Sequence, residues 1–482
     1  MLRVFLKDSV TYAVPSFLSR GLSLILVPLN TRVLSTGDYG SFDLFMVFAS
    51  IINLTIALEV SQGLGRLYAT ETDNSRKVVI ASTAFWFTLI CYSLFAISML
   101  MVASDIAYFV MGRKGLEVEF LLGVAYIWVN GIYYLLENQF RWEMRSKHYA
   151  LVSLINVTAT AAFSVWLVYF LNFGLMGLFV AMVLSTLIST MLATWLLRSS
   201  IRFEFSFAQL KEMLHFSSPL VFSGVAVWVS LCIDRVMINY FLTIEEVGLF
   251  GMGYRLASVA GLFIVGFESA LTPLVYANYG KSETPRQLVL IFRIFILFAL
   301  LLFLSITLFS KDILFLLTTP AYHEASELVI YLVPALLLSK MYIFSPGISI
   351  AKKTKLILLI NICGAFLNFI LNYILIPEFG ITGGGIAKLL SCFAVFLAYV
   401  VIGQWYYPLP HNWSRIVAAV ILAGFGAVLP ELLSLNDNAR WLMSLMIILC
   451  FSFITVWMGL VSRQEISASL HVLEAKFTLR HS

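Results

Sequence analysis

The sequence predicts an all-α, polytopic membrane protein. Of its 482 residues, 61% are hydrophobic and only 12% are charged, whereas soluble domains average about 45–50% apolar and about 25% charged residues. The mean hydropathy is +0.94. The apolar runs continue for about 20 residues, the length of a membrane-spanning helix, and do not alternate in segments of about ten as barrel strands do.

Apolar runs between charged residues or Gly and Pro breaks predict about fourteen transmembrane helices. Lys and Arg favour one set of loops by roughly four to one, which predicts that both termini lie in the cytoplasm. The first apolar run is too long for the core of a cleaved signal peptide, so we expect it to be retained. In chain order, the predicted spans are residues 10–34, 41–62, 78–103, 119–140, 150–171, 175–197, 216–242, 248–272, 288–310, 328–350, 356–376, 383–404, 415–433 and 441–462.

The chain repeats itself with one spacing. Residues 34–42 (LSTGDYGSF) parallel residues 242–250 (LTIEEVGLF), and residues 154–156 (LIN) recur at 359–361, so the offset is 205–208 residues. Spans 1–6 therefore duplicate spans 7–12. Because six spans return the chain to its starting side, the two halves have the same topology and are related by a pseudo-two-fold axis along the membrane normal.

This duplication sets the expected domain organisation. We predict an N-terminal lobe over residues 1–200 (spans 1–6) and a C-terminal lobe over residues 201–406 (spans 7–12). Residues 407–482 carry two extra helices, spans 13 and 14, and a cytoplasmic tail. Parallel repeats of this kind are a plan of transporters, in which the substrate site lies between the halves.

Three groups of short motifs at the ends of spans carry a family resemblance. They are residues 28–35 (PLNTRVLS) followed by 38–40 (DYG), residues 234–235 (DR) with 246–250 (EVGLF), and residues 368–372 (NFILN) leading to 376–383 (IPEFGITG). In this order, on a duplicated scaffold, they resemble the bacterial polysaccharide flippases, a branch of the multidrug, oligosaccharidyl-lipid and polysaccharide exporter superfamily. The resemblance covers nearly the whole chain. Residues 383–385 read Gly-Gly-Gly where that family usually has Gly-Ala-Ala.

The resemblance implies a two-lobed transporter, not an enzyme, in the bacterial inner membrane. Its substrate would be an undecaprenyl-diphosphate-linked oligosaccharide repeat unit for O-antigen, capsule or exopolysaccharide, moved from the cytoplasmic to the periplasmic leaflet by alternating access. The implied partners are this glycan, membrane lipids, a polysaccharide polymerase and a chain-length regulator, with no nucleic acid. We expect no cofactor and no metal, with H⁺ or Na⁺ as the coupling ion.

Four intramembrane cations are the candidate substrate-binding residues: Arg20, Lys340, Arg255 and Arg235. A charge at the centre of a spanning helix costs about 2.5–3.5 kcal/mol on insertion scales and is kept where it faces a cavity or a partner. A diphosphate needs cations along its path, and Arg and Lys supply them. The alternative is internal pairing, for example Arg20 with Asp43 or Glu137, or Arg235 at the interface.

Three intramembrane carboxylates are the candidate ion-coupling residues: Glu59, Glu268 and Asp234. A partly buried carboxylate can take up a proton or bind sodium and so couple transport to a gradient. Glu59 and Glu268 occupy nearly equivalent positions in the repeat. The alternatives are pairing with a loop cation such as Arg66 and, for Asp234, attachment to a neighbouring helix.

The sequence is also compatible with competing functions. A cation-coupled multidrug antiporter or a lipid II flippase of the same superfamily would share the fold, although an antiporter for cationic drugs favours an acidic, aromatic cavity. A membrane-embedded glycan polymerase or glycosyltransferase would usually need a sizeable loop with catalytic carboxylates. The predicted loops are short, and the sequence has no nucleophile elbow, phosphate-binding glycine loop or metal-spaced histidine cluster, so we predict no catalytic residues.

Overall fold

The computed structural model describes residues 21, 26–278, 282–351, 353–433 and 437–460, with side chains in these ranges except at 262, 263, 265–278, 354 and 437. Within these residues the regular structure is helical throughout. The prediction of an all-α membrane protein is therefore confirmed. Arg20 lies outside the described residues, as do residues 10–20 and 22–25 of the first predicted span.

The helices follow the predicted spans closely, and short 3₁₀ and π segments extend some of them. We number the α-helices of eight or more residues in chain order: α1 Thr36–Thr55, α2 Val60–Thr70, α3 Asn74–Met101, α4 Ala103–Met111, α5 Glu117–Trp142, α6 Ser146–Ser164, α7 Gly174–Leu196, α8 Phe207–Phe241, α9 Ile244–Asn278, α10 Thr284–Leu308, α11 Ser310–Leu317, α12 Val329–Lys340, α13 Thr354–Tyr406, α14 Trp413–Leu432 and α15 Asp437–Trp457.

The described residues contain ten helices that are long and apolar enough to cross a membrane, or eleven if the bent pair α1–α2 is one span. The count of fourteen is not confirmed and stays a prediction. Part of the difference lies in α13, which covers two predicted spans. It is interrupted at Gly380, whose φ of 60° and ψ of −144° are not helical and suit glycine.

A second interruption divides the second predicted span. α1 and α2 are bent by 41° with respect to each other. Leu58 and Glu59 at the break have φ values of 47° and 50°. Two successive non-glycine residues in the left-handed region are costly, and such strain persists only where the surrounding structure enforces it.

The described residues group into two compact units. The first comprises those of Met1–Met252, Phe315–Glu324 and Ala365–Gly384. Its core contains an aromatic cluster in which the Phe45 ring meets Phe179 edge-on at 4.9 Å and Phe120 at 6.2 Å. All three rings are fully buried, and edge-to-face pairs add to the free energy gained by burial.

The second unit comprises the described residues of Gly253–Leu314, Ala325–Gly364 and Gly385–Ser482. Here α10 packs against α12, α14 and α15. The start of α15 is attached to α11 because Arg440 pairs with Asp312, Nη2 to Oδ1, at 2.6 Å. These units describe spatial grouping and do not test the predicted lobe boundaries at residues 200 and 406.

The predicted repeat has a counterpart in the first unit. A Cβ on Gly40 would overlap the carbonyl of Ile244, and a Cβ on Gly248 would overlap the carbonyl of Thr36. Residues 36 and 40 correspond to 244 and 248 at the offset of 208, so this contact between α1 and α9 is reciprocal. A reciprocal contact is the signature of a local two-fold relation.

The N-termini of α1 and α9, which correspond in the repeat, have the same kind of capping interaction. At α1, the Ser35 backbone donates to Asp38 Oδ2 at 3.0 Å, and the Asp38 backbone donates to Ser35 Oγ at 3.1 Å. At α9, Thr243 and Glu246 make the equivalent pair of bonds at 3.0 and 3.4 Å. Both are capping boxes, which satisfy orphan amides at a helix N-terminus.

The crossing of α1 and α9 should tolerate no side chain. We predict that Gly248→Ala lowers the free energy of unfolding by about 1–3 kcal/mol, because the added methyl group must push two backbones apart. The matched control is Gly424→Ala in α14, where a Cβ would meet nothing within 4 Å, so its effect should be neutral or slightly stabilising. Thermal unfolding in detergent measures both. Equal midpoints for the two variants would contradict the close crossing.

Candidate functional site

Two of the candidate residues, Asp234 and Arg235, are adjacent on α8 and contact different partners. The Nε of Arg235 lies 3.2 Å from Oδ2 of Asp43 on α1. Its side chain is 11% exposed and that of Asp43 is 10% exposed. The guanidinium carbon lies 5.9 Å from the ring centroid of Phe250, within reach of a cation–π interaction. Arg235 is therefore held by a carboxylate and an aromatic ring.

Room for the Asp43 carboxylate comes from a glycine. A Cβ on Gly251 would overlap Asp43 Oδ2. Residue 251 is the repeat equivalent of residue 43, so the aspartate faces its own counterpart. Any side chain at position 251 would displace the carboxylate from Arg235.

Asp234 faces the other way and is fully buried. Its Oδ1 accepts hydrogen bonds from Asn368 Nδ2 at 3.0 Å and Asn372 Nδ2 at 2.9 Å. Successive helical residues point about 100° apart, so Asp234 and Arg235 have separate environments. Asn368 and Asn372 are one turn apart on α13, which aligns both amides on the same face.

This cluster has the chemistry of a small cation or proton site. Asn372 Nδ2 also donates to Asn368 Oδ1 at 3.1 Å, while Asn372 Oδ1 is buried with no hydrogen-bond partner among the described residues. A carboxylate and amide oxygens are suitable ligands for a hard cation. In the described part of the chain, no three His, Cys, Asp or Glu side chains converge as a metal site.

Glu59 lies at the strained break between α1 and α2 and caps α2 without a side-chain hydrogen bond to its backbone. Its carboxylate has Gln62, Tyr92 and Tyr134 as polar neighbours. The carboxylate thus lies among polar groups near the inner end of the second predicted span. Its repeat counterpart, Glu268, has a side chain outside the described residues.

The remaining candidate cations lie in the second unit. Arg255 is half-buried in α9. Lys340 is the last residue of α12 and is exposed, at a point where the chain leaves the α-helix for a 3₁₀ segment, Met341–Phe344. The structure thus brings Arg235 and Asp234 into described polar clusters, and leaves the roles of Arg255 and Lys340 as predictions.

Sequence reasoning did not identify these partners by residue. Asp43 is considered from the sequence only as a partner for Arg20. The attachment of Asp234 to a neighbouring helix is one of the expected alternatives, and the structure adds that Asn368 and Asn372 make it. The spacing of the two asparagines, four residues apart, was a usable signal because it places both amides on one helix face. No local pattern pairs Asp43 with Arg235, because they are 192 residues apart.

Comparison with known proteins gives a family match. The profile of a family described as polysaccharide biosynthesis protein matches residues 29–327. A protein of the Lsg locus of Haemophilus influenzae is 24% identical over 59% of this chain and 69% of its own length. The probable low-salt glycan biosynthesis flippase Agl15 of Haloferax volcanii is 28% identical over 39% of this chain and 41% of its own. The succinoglycan biosynthesis transport protein ExoT of Rhizobium meliloti is 22% identical over 55% and 52%.

Solved structures share the fold. A lipid II flippase, MurJ, in an inward closed conformation has a TM-score of 0.72 and 13% identity, covering 92% of this chain and 98% of that one. An inward-facing multidrug resistance transporter of the MATE family has a TM-score of 0.62 and 17% identity, covering 83% and 95%. At such identities the similarity establishes the fold alone.

The Asp43–Arg235 pair should be strongly coupled. Because each charge is mostly removed from water, we predict that Asp43→Asn and Arg235→Gln each lower the free energy of unfolding by about 3–5 kcal/mol, and that the double variant loses much less than the sum. The matched control is the exposed pair Lys311–Glu431 at 3.0 Å, whose coupling should be about 0.2–1 kcal/mol. Additivity of the Asp43 and Arg235 variants within about 0.5 kcal/mol would show that the two side chains act independently.

Proposed function

Because the chain belongs to the polysaccharide biosynthesis protein family, we propose that it is a flippase for an undecaprenyl-diphosphate-linked oligosaccharide repeat unit. It moves this unit from the cytoplasmic to the periplasmic leaflet during assembly of a cell-surface polysaccharide. The observation that carries the proposal is the family match over residues 29–327, on a fold whose similarity spans 98% of a lipid II flippase. The protein is a multi-pass membrane transporter and not an enzyme.

The Asp43–Arg235 pair is the proposed periplasmic gate. Asp43 lies near the outer end of the second predicted span and Arg235 near the outer end of the seventh, the first helix of the predicted C-terminal lobe. A pair that joins helices from the two predicted lobes holds them together on that side. The pair must separate when the transporter opens to the periplasm.

The substrate supplies a reason for this separation. An Arg that leaves a carboxylate in a low-dielectric site needs another anion, and a diphosphate offers one with bidentate geometry. In this mechanism Arg235 binds Asp43 in one state and the diphosphate in the other. Arg20, Arg255 and Lys340 are proposed as further cations that bind the diphosphate.

Ion coupling is proposed at Asp234, with Glu59 and Glu268 as further sites. The amides of Asn368 and Asn372 hold the Asp234 carboxylate in place, and its occupancy by H⁺ or Na⁺ changes the charge buried between α8 and α13. Removing a buried charge changes the free energy of the state that buries it, so ion binding can favour one conformation over the other. No cofactor takes part.

The cellular setting follows from the same proposal. The protein lies in the bacterial inner membrane with both termini in the cytoplasm, as the distribution of Lys and Arg predicts. It hands its glycan to a polysaccharide polymerase and a chain-length regulator on the periplasmic side. Its other partners are membrane lipids, and it binds no nucleic acid.

Deletion of the gene tests the transport function. We expect loss of the surface polysaccharide, with undecaprenyl-linked repeat units accumulating on the cytoplasmic face of the membrane. The two leaflets are distinguished by access of a glycan-modifying enzyme to inverted and right-side-out vesicles. Normal surface polysaccharide with altered sensitivity to cationic drugs would instead indicate a drug antiporter, and stranded lipid II would indicate a lipid II flippase.

Neutral variants in the complemented strain test the residues. We expect Arg235→Gln, Lys340→Gln and Asp234→Asn each to lower surface polysaccharide by about tenfold or more, since Arg235 and Asp234 lose a charged interaction in a low-dielectric site and Lys340 loses its proposed contact with the diphosphate. Only Asp234→Asn should also abolish dependence on pH or sodium. The controls are Lys353→Gln, an exposed loop cation, and Asp312→Asn, a carboxylate that pairs with Arg440. Wild-type export by the site variants would remove these residues from the mechanism.

A further inference from the structure

The second unit contains a cavity that the proposed transport mechanism does not use. It has a volume of about 520 Å³ and lies between the start of α10 and the segment that leads into α14. Its lining residues are Arg286, Gln287, Val289, Leu290, Arg293, Pro410 and Asn412. The predicted topology places this region at the cytoplasmic ends of the ninth and thirteenth spans.

Two guanidinium groups face this cavity from the same side of one helix. Arg286 and Arg293 are seven residues apart, which is two helical turns and about 10 Å along the axis. Leu290 lies between them on the same stripe. Arg286 is exposed and Arg293 is half-buried, so the two cations stand at different depths. Among the described lining residues there is no carboxylate.

Two helix starts add to the positive potential. α10 begins at Thr284 and α14 at Trp413, and the N-cap residues Glu283 and Asn412 make no side-chain capping bond. The amides at a helix N-terminus carry partial positive charge and attract anions. Gln287 in the first turn of α10 and Asn412 at the start of α14 both line the cavity. The cations and the two helix starts therefore converge on one volume.

The environment of this cavity also affects the pKa of a neighbouring histidine. Burial of the His411 side chain, together with the nearby Arg293 guanidinium, lowers the pKa of His411 to about 4. The imidazole is thus neutral at physiological pH. It packs between Phe292 and Trp413, with ring centroids 4.9 Å from each. This aromatic cluster lies beside the cavity, next to its lining residues Pro410 and Asn412. Tryptophan is enriched where spanning helices meet lipid headgroups.

We propose that this cavity is a binding site for the phosphate headgroup of an anionic phospholipid from the cytoplasmic leaflet. Arg286 and Arg293 bind the phosphate oxygens, and Gln287 and Asn412 offer hydrogen bonds to the polar headgroup. Val289 and Leu290 contact the first carbons of the acyl chains. Basic pockets between spanning helices on the cytoplasmic side recognise such headgroups.

The cavity favours a phospholipid over a soluble phosphate because it combines cations with apolar lining at the edge of the membrane. A soluble anion would gain nothing from Val289 and Leu290. A phospholipid is also present in the leaflet at high concentration, so a modest affinity suffices for occupancy. The site requires only that the chain spans a membrane and does not depend on the glycan that the protein transports.

Native mass spectrometry of the full-length protein tests the site. The protein is released from micelles that contain equal amounts of dioleoyl phosphatidylglycerol and dioleoyl phosphatidylethanolamine, and bound lipid is counted. We expect the wild type to retain phosphatidylglycerol selectively. The double variant Arg286→Gln/Arg293→Gln should retain about tenfold less phosphatidylglycerol than the wild type. The conservative variant Arg286→Lys/Arg293→Lys should keep most of it, since the charges remain.

The matched control is Lys353→Gln/Lys355→Gln, which removes the same charge from exposed residues at the start of α13. It should retain phosphatidylglycerol within about twofold of the wild type. Equal losses in both double variants would show diffuse attraction and overturn the site. Displacement of the phosphatidylglycerol by equimolar undecaprenyl diphosphate would also overturn it, because the cavity would then belong to the substrate. Thermal unfolding confirms that each variant is folded.

Discussion

The close crossing of α1 and the start of α9 is the constraint on which the described site depends. Gly40 and Gly248 let two backbones approach until no Cβ fits between them. In a bilayer, where lipid is as apolar as a leucine side chain, such close packing is a main source of helix association. The crossing fixes the position along α1 and α9 at which Asp43 faces Gly251. That position brings the Asp43 carboxylate to Arg235, while the preceding residue, Asp234, faces α13.

Charge inside a membrane is tolerated here because each described group of the α8 cluster has a partner. Arg235 has Asp43 and the Phe250 ring, while Asp234 has two asparagine amides. Pairing lowers the cost of burial but does not make a buried ion pair strongly stabilising. A pair of this kind can therefore be exchanged for a substrate or ion without unfolding the helices around it. This is the property that a transporter needs, since its binding groups must be satisfied in every state.

The positions of the helices could be predicted from the sequence more completely than the contacts between them. Apolar runs of about 20 residues locate spanning helices because every backbone group in lipid must be hydrogen-bonded internally. The break in the second predicted span was harder to foresee, because Leu58 and Glu59 carry no glycine or proline signal. The break at Gly380 was predicted, since it lies in the gap between the predicted spans 356–376 and 383–404. Asp43 and Arg235 meet through tertiary packing, which no local pattern encodes. The repeat, by contrast, was visible in the sequence, and its reciprocal contact follows from it.

The position of Asp43 opposite Gly251 has an evolutionary consequence. In a symmetric dimer of half-length chains, a residue on the two-fold axis meets its own copy, so an aspartate there would face a second aspartate at repulsive distance. Joining the halves in one polypeptide removes this restriction, because each copy can then change alone. An acid in one half and a glycine in the other create a single anionic group at the centre. Gene fusion thus permits an asymmetric ion pair that a homodimer of identical halves cannot form, in which Asp43 alone binds Arg235.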